Sequence, residues 1–192
     1  MKVGVIGAGA MGSGIAQAFA TTEGYEVCLC DIKEEFAANG KARIVKSFDG
    51  RVAKGKMERS EADKIVSKIS IGLKEICKDC DLIVEAAFES MEVKKTTFKE
   101  LHEICKSDCV FSSNTSSLSI TEIGAGIGRP VIGMHFFNPA PVMKLVEVIS
   151  GINTPREVAE KIITISKEIG KVPVEVNETA GFVVNKILAA LN

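Results

Sequence analysis

Three glycines, Gly7, Gly9 and Gly12, and an acid 19 positions beyond the last of them, Asp31, are the residues whose spacing first suggests chemistry. The pattern Gly-x-Gly-x-x-Gly follows an apolar run, Lys2 to Ile6, and opens a segment with apolar residues at helical spacing, Ile15, Ala16, Ala18 and Phe19. In that setting each glycine has its own task. Gly7 allows a tight turn, Gly9 lets the backbone approach a pyrophosphate, and Gly12 permits close packing of the helix. The helix N-terminus supplies unpaired N–H groups and the positive end of its dipole, so the anion needs no lysine. Ala10 and Met11 lie between the glycines and complete the candidate cofactor-binding turn. Asp31, closing the next apolar run, suits the hydroxyls of an adenosine ribose and would repel a 2′-phosphate. NAD is therefore expected over NADP, with Lys33 as the feature that keeps NADP open. A purely structural use of the glycines leaves the acid at this spacing unexplained.

A second group invites a metal. Cys77 and Cys80, Cys105 and Cys109, with His102 nearby, offer enough soft ligands for a tetrahedral zinc site. Only the first pair has the usual Cys-x-x-Cys spacing, and unpaired cysteine is among the most often buried residues, so core thiols are expected and no metal. Cys28 and Cys30, two apart in a strand pattern, share one face and are expected in the core as well. His102 falls in a polar helical stretch and reads as a surface residue.

The elements that must position these groups alternate. Lys2 to Ile6 and Tyr25 to Cys30 read as strands flanking the first helix, which Gly24 ends. Lys33 to Lys54 and Ser60 to Lys68 show helical spacing on either side of a turn at Gly55, with Ile65 and Ile69 on the second stripe, and are read as a helical hairpin. Strands follow over Asp81 to Ala87, Cys109 to Ser113, Pro130 to His135 and Met143 to Ile149, with a helix over Met91 to Cys105 between the first two. A helix over Pro155 to Ile169, closed by Gly170, leads to a last strand, Lys171 to Val176, and an apolar helix from Gly181 to Asn192. The predicted fold class is α/β: a Rossmann-type doubly wound, mostly parallel sheet with a helical hairpin inserted after the second strand. Residues 1–180 are expected to form the dinucleotide-binding domain, and 181–192 to begin a second.

Composition agrees with such a fold. Of 192 residues 46% are hydrophobic and 26% charged, which is globular rather than disordered. The balance of 24 Lys+Arg against 25 Asp+Glu gives no general attraction to nucleic acid or an anionic membrane, so neither partner is expected. No apolar run has the length of a membrane span, the first strand starts within three residues of Met1, and six cysteines point to reduced thiols; the expected location is cytoplasmic.

The later segments name a chemistry. Ser113-Asn114-Thr115-Ser116-Ser117-Leu118, Gly133-Met134-His135-Phe136-Phe137-Asn138-Pro139, Lys144-Leu145-Val146-Glu147-Val148 and Gly181-Phe182-Val183-Val184-Asn185 resemble the short-chain L-3-hydroxyacyl-CoA dehydrogenases, including the bacterial 3-hydroxybutyryl-CoA dehydrogenases. The resemblance covers nearly the whole chain in order. It implies His135 as the catalytic histidine, Glu147 as its partner carboxylate, and Ser116 and Asn185 as the polar residues on the substrate oxygen. It also implies Glu89, Lys94 and Asn114 at the nicotinamide end of the cofactor. Asn138, in the loop after the histidine, is counted with the substrate site.

These roles make chemical sense. Oxidising a secondary alcohol removes a proton from oxygen as hydride leaves carbon, and an imidazole, with an ordinary pKa near 6.5, suits that proton. A buried carboxylate on the other ring nitrogen fixes the tautomer, as in a hydrolase triad. Ser116 and Asn185 would serve as neutral donors to the oxygen, with no covalent intermediate. Taken singly each residue has a plainer use: Ser116 as a helix cap, His135 as a structural histidine, Glu147 as a solvent-facing residue of an alternating strand, and Asn185 as a surface residue.

The hairpin carries nine Lys/Arg against four acids between Lys41 and Lys68, a net +5 suited to the phosphates of coenzyme A. By resemblance this hairpin lines an acyl-CoA cleft, with Ser47 and Lys54 at the implicated positions; most of the other lysines are expected on a solvated face. The resemblance further implies a helical domain that makes a homodimer, where this chain stops at Asn192. That domain is read as missing. Ala180 stands where the family usually has proline, Leu188-Ala189-Ala190-Leu191 replaces a bulkier run, and a last helix without it would expose Val184, Leu188 and Leu191 unless another chain covers them. Two other functions remain open on the sequence: a related dehydrogenase of a free hydroxy acid or sugar acid, and a module that binds NAD without turnover.

Overall fold

Short apolar runs between helical segments assemble into one eight-stranded sheet in the computed structural model, which describes residues 1–178. The strands are β1 (Lys2–Ile6), β2 (Glu26–Cys30), β3 (Ile69–Gly72), β4 (Leu82–Glu85), β5 (Val110–Ser113), β6 (Val131–Phe136), β7 (Leu145–Ser150) and β8 (Val172–Asn177). The helices are α1 (Ala10–Thr21), α2 (Glu34–Ala53), α3 (Arg59–Ser67), α4 (Met91–Ile104), α5 (Ile120–Gly124) and α6 (Arg156–Glu168), with a 3-10 turn over Lys74–Cys77. Strand order is β3-β2-β1-β4-β5-β6-β7-β8, and every pair is parallel except β6 with β7.

Helices on both faces explain why β4 reads Leu82-Ile83-Val84 without alternation: all three are fully buried. One half of the core packs α1, α2 and α6 on the sheet through Ile15, Phe19, Ile44, Phe48, Ile162 and Ile165. The other half packs α4 and α5 through Phe98, Leu101, Phe111, Ile120 and Ile123, and it contains all six cysteines. Phe98 and Phe111 stack with ring centroids 5.4 Å apart, worth about 0.5–1.5 kcal/mol beyond the area they bury. Gly170, with φ +73°, closes α6 as read from the sequence, and the amide of Lys171 donates back to the Ser166 carbonyl at 2.9 Å.

Three features depart from the sequence reading. The hairpin α2–α3 is the connection to an additional strand, β3, pairing parallel with β2 at the sheet edge. Ile69 therefore belongs to β3 and not to the stripe of α3; four residues with Ser70 and Ile71 exposed give too little pattern to be read as a strand. The 3-10 turn and the five-residue α5 are equally short, and the reading has neither. His102, expected at the surface, is half-buried, because Arg129 arrives from a distant loop and its Nε donates to His102 Nδ1 at 3.0 Å.

The topology sets where chemistry falls. Strands β1, β2, β4, β5 and β6 all end at one edge of the sheet, and β7, running back, begins there. Strand order reverses between β1 and β4, the crevice where doubly wound sheets bind ligands. Among the described residues no helix is long and apolar enough to cross a membrane.

Candidate active site

The glycine turn fills the start of this crevice. Gly7 has φ +95°, and a Cβ there would lie 2.6 Å from the Ala86 carbonyl of the neighbouring strand end. A Cβ on Gly12 would lie 1.7 Å from the Gly7 carbonyl, so α1 sits against the turn at a distance only glycine allows. Gly9 is different: nothing lies within 4 Å of its Cβ position. It caps α1 without a side-chain hydrogen bond, and the first turn of that helix carries no acid. An open backbone face on unpaired N–H groups and a positive dipole end fits a pyrophosphate, as the spacing predicts. Ala10 and Met11 form the first turn of α1.

Asp31 stands beside the turn. Its Oδ2 accepts from the Ala8 amide at 2.7 Å, and its Oδ1 from the Ile32 amide at 2.7 Å. From α2, Arg43 donates to the Ala8 carbonyl at 2.8 Å, joined by Ser13 Oγ at 3.0 Å. Neither Arg43 nor Ser13 was identified from sequence; Arg43 acts across a tertiary contact that no local pattern announces, while Ser13 lies only five residues beyond Ala8.

Next to the turn is a cavity of about 400 Å³. It is lined by Met11 of α1, by Ala86, Ala87 and Glu89 after β4, by Lys94 of α4, by Asn114 and Ser116 after β5, and by His135, Phe136, Phe137 and Asn138. Residues far apart in the chain thus meet in one place. Asn114 ties two strand ends together, its Oδ1 accepting from the Phe136 amide at 2.8 Å and its own amide donating to the Glu85 carbonyl at 2.7 Å.

His135 and Glu147 sit directly opposite each other in the antiparallel pair β6–β7, and Nδ1 lies 2.8 Å from Glu147 Oε2. Both are buried, at 6% and 1% exposure. The solvent-facing use of Glu147 is thereby overturned: β7 lies between β6 and β8, and Val146 to Ile149 are buried on both faces. The histidine ring packs on Phe137, centroids 4.6 Å apart.

The other wall is a charged network. Lys94, fully buried, donates to Glu85 at 2.9 and 3.0 Å and reaches Glu89 at 3.2 Å. Glu85 also accepts from Ser113 Oγ at 2.6 Å and the Ala87 amide at 2.7 Å. Glu89 accepts from Thr115 Oγ1 at 2.5 Å and the Ser116 amide at 2.9 Å. Burial alone would raise the Glu89 carboxyl, but these hydrogen bonds and the Lys94 ammonium outweigh it and hold Glu89 below the usual range. Glu85 was missed in the sequence, although an acid at the end of an otherwise apolar strand is a usable signal.

Ser116 is not a helix cap; that position is Ser119, whose Oγ accepts from the Glu122 amide at 3.1 Å. Ser116 and Asn138 both line the cavity. Ser47 and Lys54 do not. Ser47 is exposed on α2, accepting from Gln17 Nε2 at 3.3 Å, and Lys54 is exposed at the end of that helix. Four cations of the basic segment serve internal bonds: Lys41 to the Ile69 carbonyl, Arg43 to Ala8, Lys68 to Ala20 and Thr22, and Arg59 to Asp49. Asn185, and with it the segment 181–192, lies outside the described residues.

Comparison with known proteins follows the same line. The family model described as 3-hydroxyacyl-CoA dehydrogenase, NAD binding domain, matches residues 2–179. A 3-hydroxybutyryl-CoA dehydrogenase of Clostridioides difficile is 49% identical over 98% of this chain and 68% of its own length. A probable 3-hydroxybutyryl-CoA dehydrogenase of Bacillus subtilis is 44% identical over 97% of this chain and 66% of its own. Among solved structures, the (S)-3-hydroxybutyryl-CoA dehydrogenase of Ralstonia eutropha superposes with a TM-score of 0.95 at 38% identity, covering 99% of this chain and 68% of that one. The chain spans about two thirds of the length of these relatives.

Proposed function

The chain belongs to the 3-hydroxyacyl-CoA dehydrogenase family by its NAD-binding domain, and on that premise we propose that it transfers hydride between NAD and the 3-hydroxy or 3-keto position of a short-chain acyl-CoA, such as 3-hydroxybutyryl-CoA or acetoacetyl-CoA. The observation that carries this reading is the His135–Glu147 contact of 2.8 Å at the wall of a cavity beside the glycine turn. When bound, the nicotinamide supplies the acceptor or donor of the hydride.

The chain's own residues do the rest. Glu147 holds Nδ1 of His135 and fixes the tautomer, so proton exchange with the substrate oxygen falls to Nε2. As the alcohol is oxidised, His135 takes the hydroxyl proton, and Glu147 stabilises the imidazolium that results; ketone reduction runs these steps backwards. Ser116 and Asn185 donate hydrogen bonds to the substrate oxygen. Gly7, Gly9, Ala10, Met11 and Gly12 hold the pyrophosphate, Asp31 the ribose, and Glu89, Lys94 and Asn114 the nicotinamide end. Ser47, Lys54 and Asn138 meet the acyl-CoA.

The same reading takes residues 1–180 as the NAD-binding domain and 181–192 as the start of a helical domain. It includes a second copy of the chain as partner in the whole protein and a cytoplasmic location, where six unpaired thiols stay reduced. The deciding experiment follows NADH oxidation by the 192-residue chain with acetoacetyl-CoA, beside NADH binding in the same sample. Turnover that disappears in His135→Ala supports the reading. Binding without turnover leaves a cofactor module, and turnover of a free keto acid at the same rate rejects the CoA ester as substrate.

A further inference from the structure

The charged wall of the cavity has one cation for two carboxylates. Glu85 takes both of its oxygens to Lys94, at 2.9 and 3.0 Å, and receives Ser113 and the Ala87 amide as well, so most of the lysine's charge is spent on this pair inside the protein. Glu85 is 0% exposed and Lys94 1%. Glu89 is held by the remaining reach of Lys94, 3.2 Å, and by neutral donors from Thr115, Ser116 and Ser117. The cluster therefore carries a formal charge of −1, and its most exposed member is Glu89, 38% exposed at the cavity wall. Lys94 is the sole lysine or arginine among the described residues of that lining.

The adenosine half of a dinucleotide lies over β1 and β2, where Asp31 stands, which places its other half across the reversal of strand order, over β4 to β6 and this cluster. That half changes charge during the reaction: the nicotinamide ring is cationic when oxidised and neutral when reduced. A fixed charge near it acts on one form and not the other, and a partly buried site with little screening makes the difference large. Resting on the function proposed above, we propose that the uncompensated charge of Glu89 stabilises the oxidised nicotinamide relative to the reduced one, and so sets the ratio of the two affinities. Thermodynamic linkage then makes the bound reduced form a stronger hydride donor than it would be in a neutral site, which favours the alcohol on the enzyme.

The test measures dissociation constants for NAD and NADH on the 192-residue chain, by calorimetry and by NADH fluorescence. Glu89→Gln is expected to weaken NAD about tenfold, the order of one unit-charge interaction near a protein surface, and NADH less than about threefold. Glu89→Asp keeps the charge, and the ratio of the two constants should stay within about threefold of the parent. If Glu89→Gln does not fold, Glu85→Gln serves in its place. It releases Lys94 to neutralise Glu89 and should move the ratio in the same direction. Equal weakening of both forms, or weakening of NADH alone, overturns the inference while leaving the dehydrogenase reading intact. A parent chain that binds neither form overturns both.

Discussion

The ammonium of Lys171 is buried beneath the loop that follows His135, donating to the Ala140 carbonyl at 2.6 Å and also to that of Met143 at 2.8 Å. One side chain just before β8 thus holds the second half of the connection between β6 and β7, and burial lowers its pKa from the usual lysine value.

Replacing it tests how far the site depends on that anchor. Lys171→Met should cost about 1–3 kcal/mol of stability, since two buried carbonyls lose their charged donor. Turnover should fall more than NADH affinity, because the loop carries Phe137 and Asn138 into the cavity while the glycine turn is elsewhere. Urea unfolding and parallel kinetics would show it; unchanged kcat would free the loop from this control.

His135→Ala should lower turnover by about 10²-fold or more, as expected for loss of a general base, with NADH binding retained. Glu147→Gln keeps the shape of the pair but not its charge, and a loss of about 10²-fold is expected there too. Steady-state rates with acetoacetyl-CoA decide both.

Two glycines separate cofactor binding from folding. Gly9→Ala adds a methyl that meets no protein atom within 4 Å, at φ −67°, so its unfolding midpoint should stay near that of the parent while NADH affinity drops sharply. Gly12→Ala places the same methyl 1.7 Å from the Gly7 carbonyl, so stability and binding should fall together. Thermal scans beside NADH titrations distinguish the two.

Acid should loosen the fold through particular carboxyls. In Glu89, Glu178 and Asp81 burial raises the pKa, but hydrogen bonds and, for Glu89 and Asp81, a nearby lysine pull it below the unfolded value. Such groups stabilise the fold above their unfolded pKa, about 4, and lose that contribution as pH falls through the lower folded value. Unfolding free energy should therefore decline below about pH 4, and Glu178→Gln should flatten the decline. That variant removes the charge that Ser119 Oγ and the Thr121 amide and hydroxyl now satisfy, leaving one acceptor oxygen where there were two.

The sequence made some of this legible for physical reasons. The glycine turn is a local device: Gly7 and Gly12 sit where steric need puts them, and Gly9 where the backbone must stay open. Glu147 was ambiguous because Val146-Glu147-Val148 suits an exposed alternating strand as well as a buried one; only the neighbour β8 settles its burial. Glu85 escaped notice because its partner Lys94 lies on the next helix and nothing in the spacing joins them. β3 was lost for want of length, and Ser116 could be separated from Ser119 as a cap only once α5 was seen to begin at Ile120.

All six thiols lie in one half of the core, and each is buried. A sulfhydryl reagent consequently finds no target while that half is closed, and its rate of modification counts the moments when α4 and the 3-10 turn part from the sheet. The chain has no tryptophan to report such events by fluorescence. Its cysteines supply the lack: they form an internal clock for breathing of the layer that carries Lys94, and a bound dinucleotide should slow it.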